Sequence, residues 1–239
     1  RYLLSASLRR DGSSRFAPVN KFGYFPAFSV GWKISNESFW NVPSGIISTL
    51  KLRGSYGKLG NQEIGDYLFQ GTINSGIIYT FNGVRTTGAL QTLVASPDIK
   101  WESKAITNVG FDGTFLNGHL DVSAEYYKSK STDLLVGITV PATLGFENLN
   151  PTVNAASLQN SGIEINAGYH KNKGAFTYDI SANFSTVKNK VLSLGQGNDR
   201  LIGVGSRTVV GGEIGEHYGF VYEGIFQTSH LHSISEVCA

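Results

Sequence analysis

The chain has 239 residues, a net charge of +2, no methionine and one cysteine, Cys238. So small a charge gives no argument for nucleic acid or an anionic partner, and a single cysteine excludes an internal disulfide framework or a multi-cysteine metal site. No apolar run of about 18 residues occurs, which excludes a transmembrane helix. A strand-built membrane protein stays open, because alternating lipid-facing and lumen-facing residues give a soluble-looking mean hydropathy, here −0.09.

The dominant period is two, the period of a strand. Tyr2, Leu4, Ala6 and Leu8 alternate with Leu3, Ser5, Ser7 and Arg9, predicting a first strand. Phe28, Val30, Trp32 and Ile34 predict a second, followed by a connection over Ser35 to Gly45. Leu50, Leu52, Gly54 and Tyr56 carry a third. A long polar segment, roughly 57–100, precedes the fourth, set by Val109, Phe111, Gly113 and Phe115. Asn117-Gly118 predicts a two-residue hairpin, since both turn positions take positive φ, and Leu120, Val122, Ala124 and Tyr126 follow as the fifth strand. After a second long segment, 129–161, Ile163, Ile165, Ala167 and Tyr169 form the sixth. Lys171 to Gly174 is a short turn into the seventh, Phe176 to Ser185, and a third long segment covers 186–215. No amphipathic helix is predicted.

Short and long connections therefore alternate, as in an outer-membrane barrel with short periplasmic turns and long outer loops. A soluble all-β protein also alternates, but its strands usually run about 5–6 residues, whereas a tilted membrane strand needs about 9–11. Alternation from Thr177 to Ser185 favours the longer kind. Phe115, Tyr126, Tyr169 and Phe176 are expected to flank the short turns as an interfacial girdle. Asp112, Asp121, Glu125, Glu164 and Asp179 are expected on the opposite face, lining a wet lumen. The fold class read from the chain is all-β, a partial antiparallel transmembrane β-barrel of seven to eight strands.

Several phrases carry a resemblance: Arg1 to Phe16 (RYLLSASLRRDGSSRF), Gly23 to Trp32 (GYFPAFSVGW), Leu50 to Gln62 (LKLRGSYGKLGNQ), Pro97 to Glu102 (PDIKWE), Asn160 to Glu164 (NSGIE) and Gly215 to Phe220 (GEHYGF). In this order the chain resembles the SusC/RagA branch of TonB-linked outer-membrane receptors up to about Gln227. The resemblance implies residues 1–228 as part of a larger, roughly 22-stranded barrel closed by an N-terminal plug. It implies import of oligosaccharides or peptides across the outer membrane of a Gram-negative, Bacteroidetes-like bacterium. Its implied partners are outer-membrane lipid, a SusD-like surface lipoprotein acting as a lid, and the TonB complex, reached through an N-terminal part that this chain lacks. No cofactor, nucleic acid or enzymatic activity is implied. Residues 229–239 depart from the family pattern and read as an atypical tail. A structural or adhesive outer-membrane barrel and a soluble β-rich binding module are the rival readings.

Residues that tempt a catalytic reading have blander ones. Asp11-Gly12-Ser13-Ser14 lacks nucleophile-elbow spacing, and Gly203-Val204-Gly205 lacks the third glycine of a dinucleotide site. His230 and His232 could pair on a metal but lie in the tail. Arg9, Arg10 and Arg15 are expected to order their own loop. Tyr67, Phe69, Tyr79 and Phe81 are the substrate-binding candidates, as aromatic faces in a long loop, with loop or partner packing as the alternative.

Overall fold

The computed structural model describes residues 1–137, 151–171, 174, 176–195 and 199–222. Residues 229–239, with His230, His232 and Cys238, lie outside the described residues, as do 172 and 173 in the expected Lys171–Gly174 turn.

The strands are β1 (Tyr2–Gly12), β2 (Phe22–Lys33), β3 (Ile47–Asn61), β4 (Thr72–Phe81), β5 (Val84–Leu93), β6 (Glu102–Phe115), β7 (Leu120–Gly137), β8 (Thr152–Lys171), β9 (Tyr178–Ser185), β10 (Lys188–Leu194), β11 (Arg200–Gly203), β12 (Ser206–Val209) and β13 (Glu216–His217). One antiparallel sheet runs β1-β2-β3-β6-β7-β8, with β9 and β10 both paired to β8. β9 and β10 act as one rod, because Ser185 faces Glu164 and Lys188 faces Ser161 without a change of register. The β4–β5 hairpin and the β11–β13 sheet stand apart from it.

Directly opposed residues of an antiparallel pair share a face, so the register sorts the side chains. The row Tyr2, Trp32, Leu52, Phe111, Ala124, Ile165 and Phe184 lies on one face. Arg53, Gly110, Glu125 and Glu164 form a row on the other. The apolar face has no covering layer among the described residues: Leu4 is 82% exposed, Val109 59% and Ile180 62%. A sandwich would bury these side chains against a second sheet. A sheet that leaves them open matches the expected stretch of barrel wall, with its apolar side chains turned outward.

The apolar band does not follow the hydrogen-bonded rows. Ala6, Phe28 and Tyr56 share a row with Thr107, Lys128, Ser161 and Lys188. A level slab of lipid cuts such rows obliquely because barrel strands tilt by about 35–45°.

Three expectations are corrected. The strands outlast their hydrophobic alternation: β3 reaches Asn61, β7 reaches Gly137 and β8 begins at Thr152. Beyond the apolar band polar and apolar residues no longer alternate strictly between the faces, so pairing continues without a clear period-two signal. Tyr126 consequently sits in mid-strand at the upper edge of the apolar band, not beside a turn. Phe115, Tyr169 and Phe176 do flank the short connections, joined there by Tyr2 stacked 6.4 Å from Trp32 and by Tyr178 stacked 5.9 Å from Tyr169.

Asn117-Gly118 sits within a four-residue connection, 116–119, and Leu116 shares their positive φ. A two-residue turn with both φ positive is at Asn82-Gly83, with φ of 49° and 78°, closing Phe81 onto Val84. The segment 57–100 therefore contains a hairpin that the polar reading passed over. Within 186–215, Val204-Gly205 joins β11 to β12.

Candidate functional site

The charged face carries a grid of ion pairs. Gly110 stands between Arg53 and Glu125 in its row. A Cβ at Gly110 would meet the Ala124 carbonyl oxygen at 2.5 Å and Glu125 Cα at 3.1 Å. The vacant position lets Arg53 cross β6: Nη1 donates to Glu125, while Nε donates to Asp112 at 3.1 Å. Lys51 Nζ donates to the other Asp112 oxygen at 3.4 Å. The guanidinium fork suits two carboxylates held at different angles.

Nearer the short turns, His170 bridges two carboxylates, with Nε2 2.8 Å from Asp121 and Nδ1 3.0 Å from Asp179. Imidazole can donate to both only with a proton on each nitrogen. Thr114 Oγ1 donates to Asp121 at 2.7 Å. The five acidic residues expected on one face are thus all there: four fall into these two clusters, and Glu164 stands opposite Glu125 in the Arg53 row. An open trough of about 760 Å³ runs between them, with Asp112, Ser123, Asn166 and Asn183 in its walls. Among the described residues no group of three His, Cys, Asp or Glu side chains is placed to hold a metal ion.

The end bearing the long connections is tied into a rim. Phe16, Phe25, Ile99 and Trp101 bury one another, with ring centroids 5.2 Å apart for Phe16–Trp101 and 5.6 Å for Phe25–Trp101. Phe25 fills the space over Gly23, where a Cβ would come within 2.5 Å of its ring. Asparagine side chains splice the loops together. Asn20 Nδ2 donates to the Asp98 and Ile99 carbonyls, each at 3.2 Å. Asn154 exchanges bonds with both backbone groups of Lys100 at 2.8 Å and donates to Asp133 O at 2.7 Å. Arg15 reaches Asp66 at 2.9 Å and the Gln62 carbonyl at 3.3 Å. It therefore joins two loops instead of ordering its own. Arg9 does act locally, 2.8 Å from Asp11, and Arg10 lies 3.8 Å over the Phe22 ring. Ser13 is buried and its Oγ accepts from the Arg15 amide.

The four aromatic candidates separate into two pairs. Tyr67 and Phe69, 6.2 Å apart, sit at the base of the β4–β5 hairpin, where Phe69 packs on the rim core. Tyr79 and Phe81 lie on β4 itself, 4.8 Å apart and 63% and 67% exposed. Phe69 serves packing; Tyr79 and Phe81 are free to meet another surface. Sequence reasoning missed the rim core, whose signal was the aromatic and apolar content of Phe16, Ile99 and Trp101 inside otherwise polar loops.

Two carboxylates outside the sheet are held below the ordinary range. Glu37, in the turn after β2, accepts from Trp32 Nε1 at 3.0 Å and from Arg1 at 3.2 Å, and the Trp32 bond chiefly lowers its pKa. Glu216 is lowered first by the Glu213 amide at 3.0 Å and then by Arg207 at 3.1 Å.

A family described as TonB dependent receptor-like, beta-barrel, matches residues 1–218. The chain is 37% identical over 228 residues to TonB-dependent receptor P39 of Formosa agariphila, covering 95% of this chain and 21% of that protein. It is 36% identical over 204 residues to the TonB-dependent receptor SusC of Bacteroides thetaiotaomicron, covering 83% and 20%. Among solved structures, the RagAB peptide transporter matches with a TM-score of 0.75 at 25% identity, over 88% of this chain and 23% of that one. The RagAB peptide importer in its open-open state matches with the same TM-score at 26% identity, over the same shares of the two chains. The chain spans about a fifth of the length of the curated relatives it matches.

Proposed function

The chain belongs to the TonB dependent receptor-like β-barrel family, in its SusC/RagA branch, and from that premise we propose that it forms part of the wall and rim of an outer-membrane nutrient importer. The observation that carries this reading is the two-faced single sheet: an open apolar face, an ion-paired opposite face, and structured connections concentrated at one end. The apolar face meets lipid, the charged face lines a lumen, and the rim faces outward, with the short turns in the periplasm.

In the complete receptor the lumen would be closed by a plug coupled to TonB, and the trough beside Asp112 and Asn166 would lie against whatever fills the barrel. The substrate is an oligosaccharide or a peptide, the two classes that the family resemblance implies; the likeness to the RagAB peptide importer supports the second. A SusD-like lipoprotein would sit on the rim. Tyr79 and Phe81, raised on the hairpin, would contact that lid or the substrate, since aromatic faces stack on sugar rings and apolar side chains alike.

Deleting the gene tests the reading. Growth and labelled-substrate uptake on oligosaccharides or peptides should fall while small-nutrient uptake holds. Unchanged uptake on every such substrate would leave the adhesive barrel as the better account, and a soluble location on fractionation would sink both.

A further inference from the structure

Above the apolar band, the outward face of the sheet carries cations and no acids. Lys128 and Lys188 flank Ser161 in one hydrogen-bonded row, and Lys130 and Lys190 flank Gln159 in the next. Lys58 lies in that second row, opposite Ala105, which faces Lys130. On β1, Arg10 points to the same side, two residues past Leu8, with its guanidinium over the Phe22 ring. Lys128, Lys130, Lys188, Lys190 and Arg10 are exposed, and none of the six has an ion-pair partner among the described residues. Of the acids at this level, Asp11 and Glu102 stand at the inward parity of β1 and β6, Asp133 pairs with Lys100 at a positive-φ position of β7, and Glu213 lies off the sheet where 211–214 runs beside β10. At this level the inward face carries both signs, with Arg9 and Lys104 beside these acids, whereas the outward face of the sheet carries cations alone, which a merely solvated strand end does not require.

We propose that this belt binds the phosphorylated headgroups of the outer-leaflet glycolipid, an inference that rests on the membrane orientation proposed above. Strand spacing of about 4.8 Å puts Lys130 and Lys190 roughly 10 Å apart, and each lies about 7 Å along its strand from the next lysine. The four make a grid on the scale of a headgroup bearing two phosphates. Their stems lie along the top of the apolar band, where lysine buries methylenes against acyl chains and raises its ammonium to the headgroup. Phe22 and Tyr24 beside Arg10 add the amphipathic rings that favour the same depth. At an interface the attraction of each cation for anionic lipid accumulates, and salt screens it over about 8 Å at physiological ionic strength.

Native mass spectrometry of the complete receptor in mild detergent tests this, with bisphosphorylated lipid A, its dephosphorylated form and inorganic phosphate as probes. Wild type should hold the bisphosphorylated lipid at least about tenfold tighter than the dephosphorylated one and should not retain inorganic phosphate. The K128S/K130S/K188S/K190S variant should lose about tenfold or more, and the K128R/K130R/K188R/K190R variant should keep the affinity, with heat-modifiable migration reporting folding in both. Equal binding by wild type and the serine variant would overturn the belt, as would equal binding of both lipids; retention of inorganic phosphate at the same sites would overturn the lipid as its source. Fractionation separates the two levels: a receptor absent from the outer membrane defeats the functional reading, whereas one present there with unchanged lipid binding defeats only the belt.

Discussion

At the scale of single residues, the inner wall depends on what is missing at Gly110. A valine there would drive Cβ into the Ala124 carbonyl and block the path of Arg53 to Glu125. Gly110→Val in the complete receptor is expected to cost about 1–3 kcal/mol by overpacking, read as a lower unfolding temperature with unchanged membrane insertion. Glu37 gives a pH signature at the turn after β2. Its carboxyl is held below its ordinary 4.5, so its stabilisation is complete above that pH and fades as pH falls through the lowered value. Glu37→Gln should therefore melt lower than wild type at neutral pH, and the two melting curves should converge in acid. Neither residue declares itself in the sequence, because each acts through a neighbour on another strand or across a turn.

At the scale of elements, the rim is a separate packing problem from the wall. Water surrounds it, so it needs an ordinary hydrophobic core, and Phe16, Phe25, Ile99 and Trp101 provide one. Trp101→Ala is expected to cost about 3–5 kcal/mol locally. Limited proteolysis should then cut within 62–101 while the barrel keeps its heat-modifiable migration. The β4–β5 hairpin stands on this core through Leu68 and Phe69. Replacing 72–93 by a short Gly-Ser linker should leave the barrel folded and weaken capture of a lid lipoprotein in pull-downs; undiminished capture would remove the hairpin from the proposed interface. The hairpin was legible in Asn82-Gly83, a two-residue turn signal hidden in a stretch whose strands are exposed on both faces and so show little alternation. The same dipeptide at 117–118 misled, because the turn length is set by where Phe115 meets Leu120 and not by the dipeptide alone.

At the scale of the whole molecule, the two faces face different solvents. Ala124 and Glu125 are neighbours in sequence and opposite in fate. Ala124→Arg puts a charge near mid-band on the lipid side and should cost about 2–4 kcal/mol in the complete receptor, measured by unfolding from bilayers. Glu125→Gln should disturb only its contact with Arg53 and cost less; equal penalties would refute the assignment of faces. Among the described residues the outer edges of β1 and β9 pair with no further strand, and a bilayer cannot satisfy unpaired backbone groups, so the proposed wall continues through strands beside them. The sequence by itself determined the class of fold, the face of each strand inside the apolar band and the family, because period two and local phrases are properties of adjacent residues. Tertiary structure alone decided that Arg53 crosses Gly110 to Glu125, that Arg15 and Asn154 splice distant loops, and that lysines from β3, β7 and β10 form one belt. Those contacts depend on register between strands far apart in the chain, and no local periodicity encodes register across long connections.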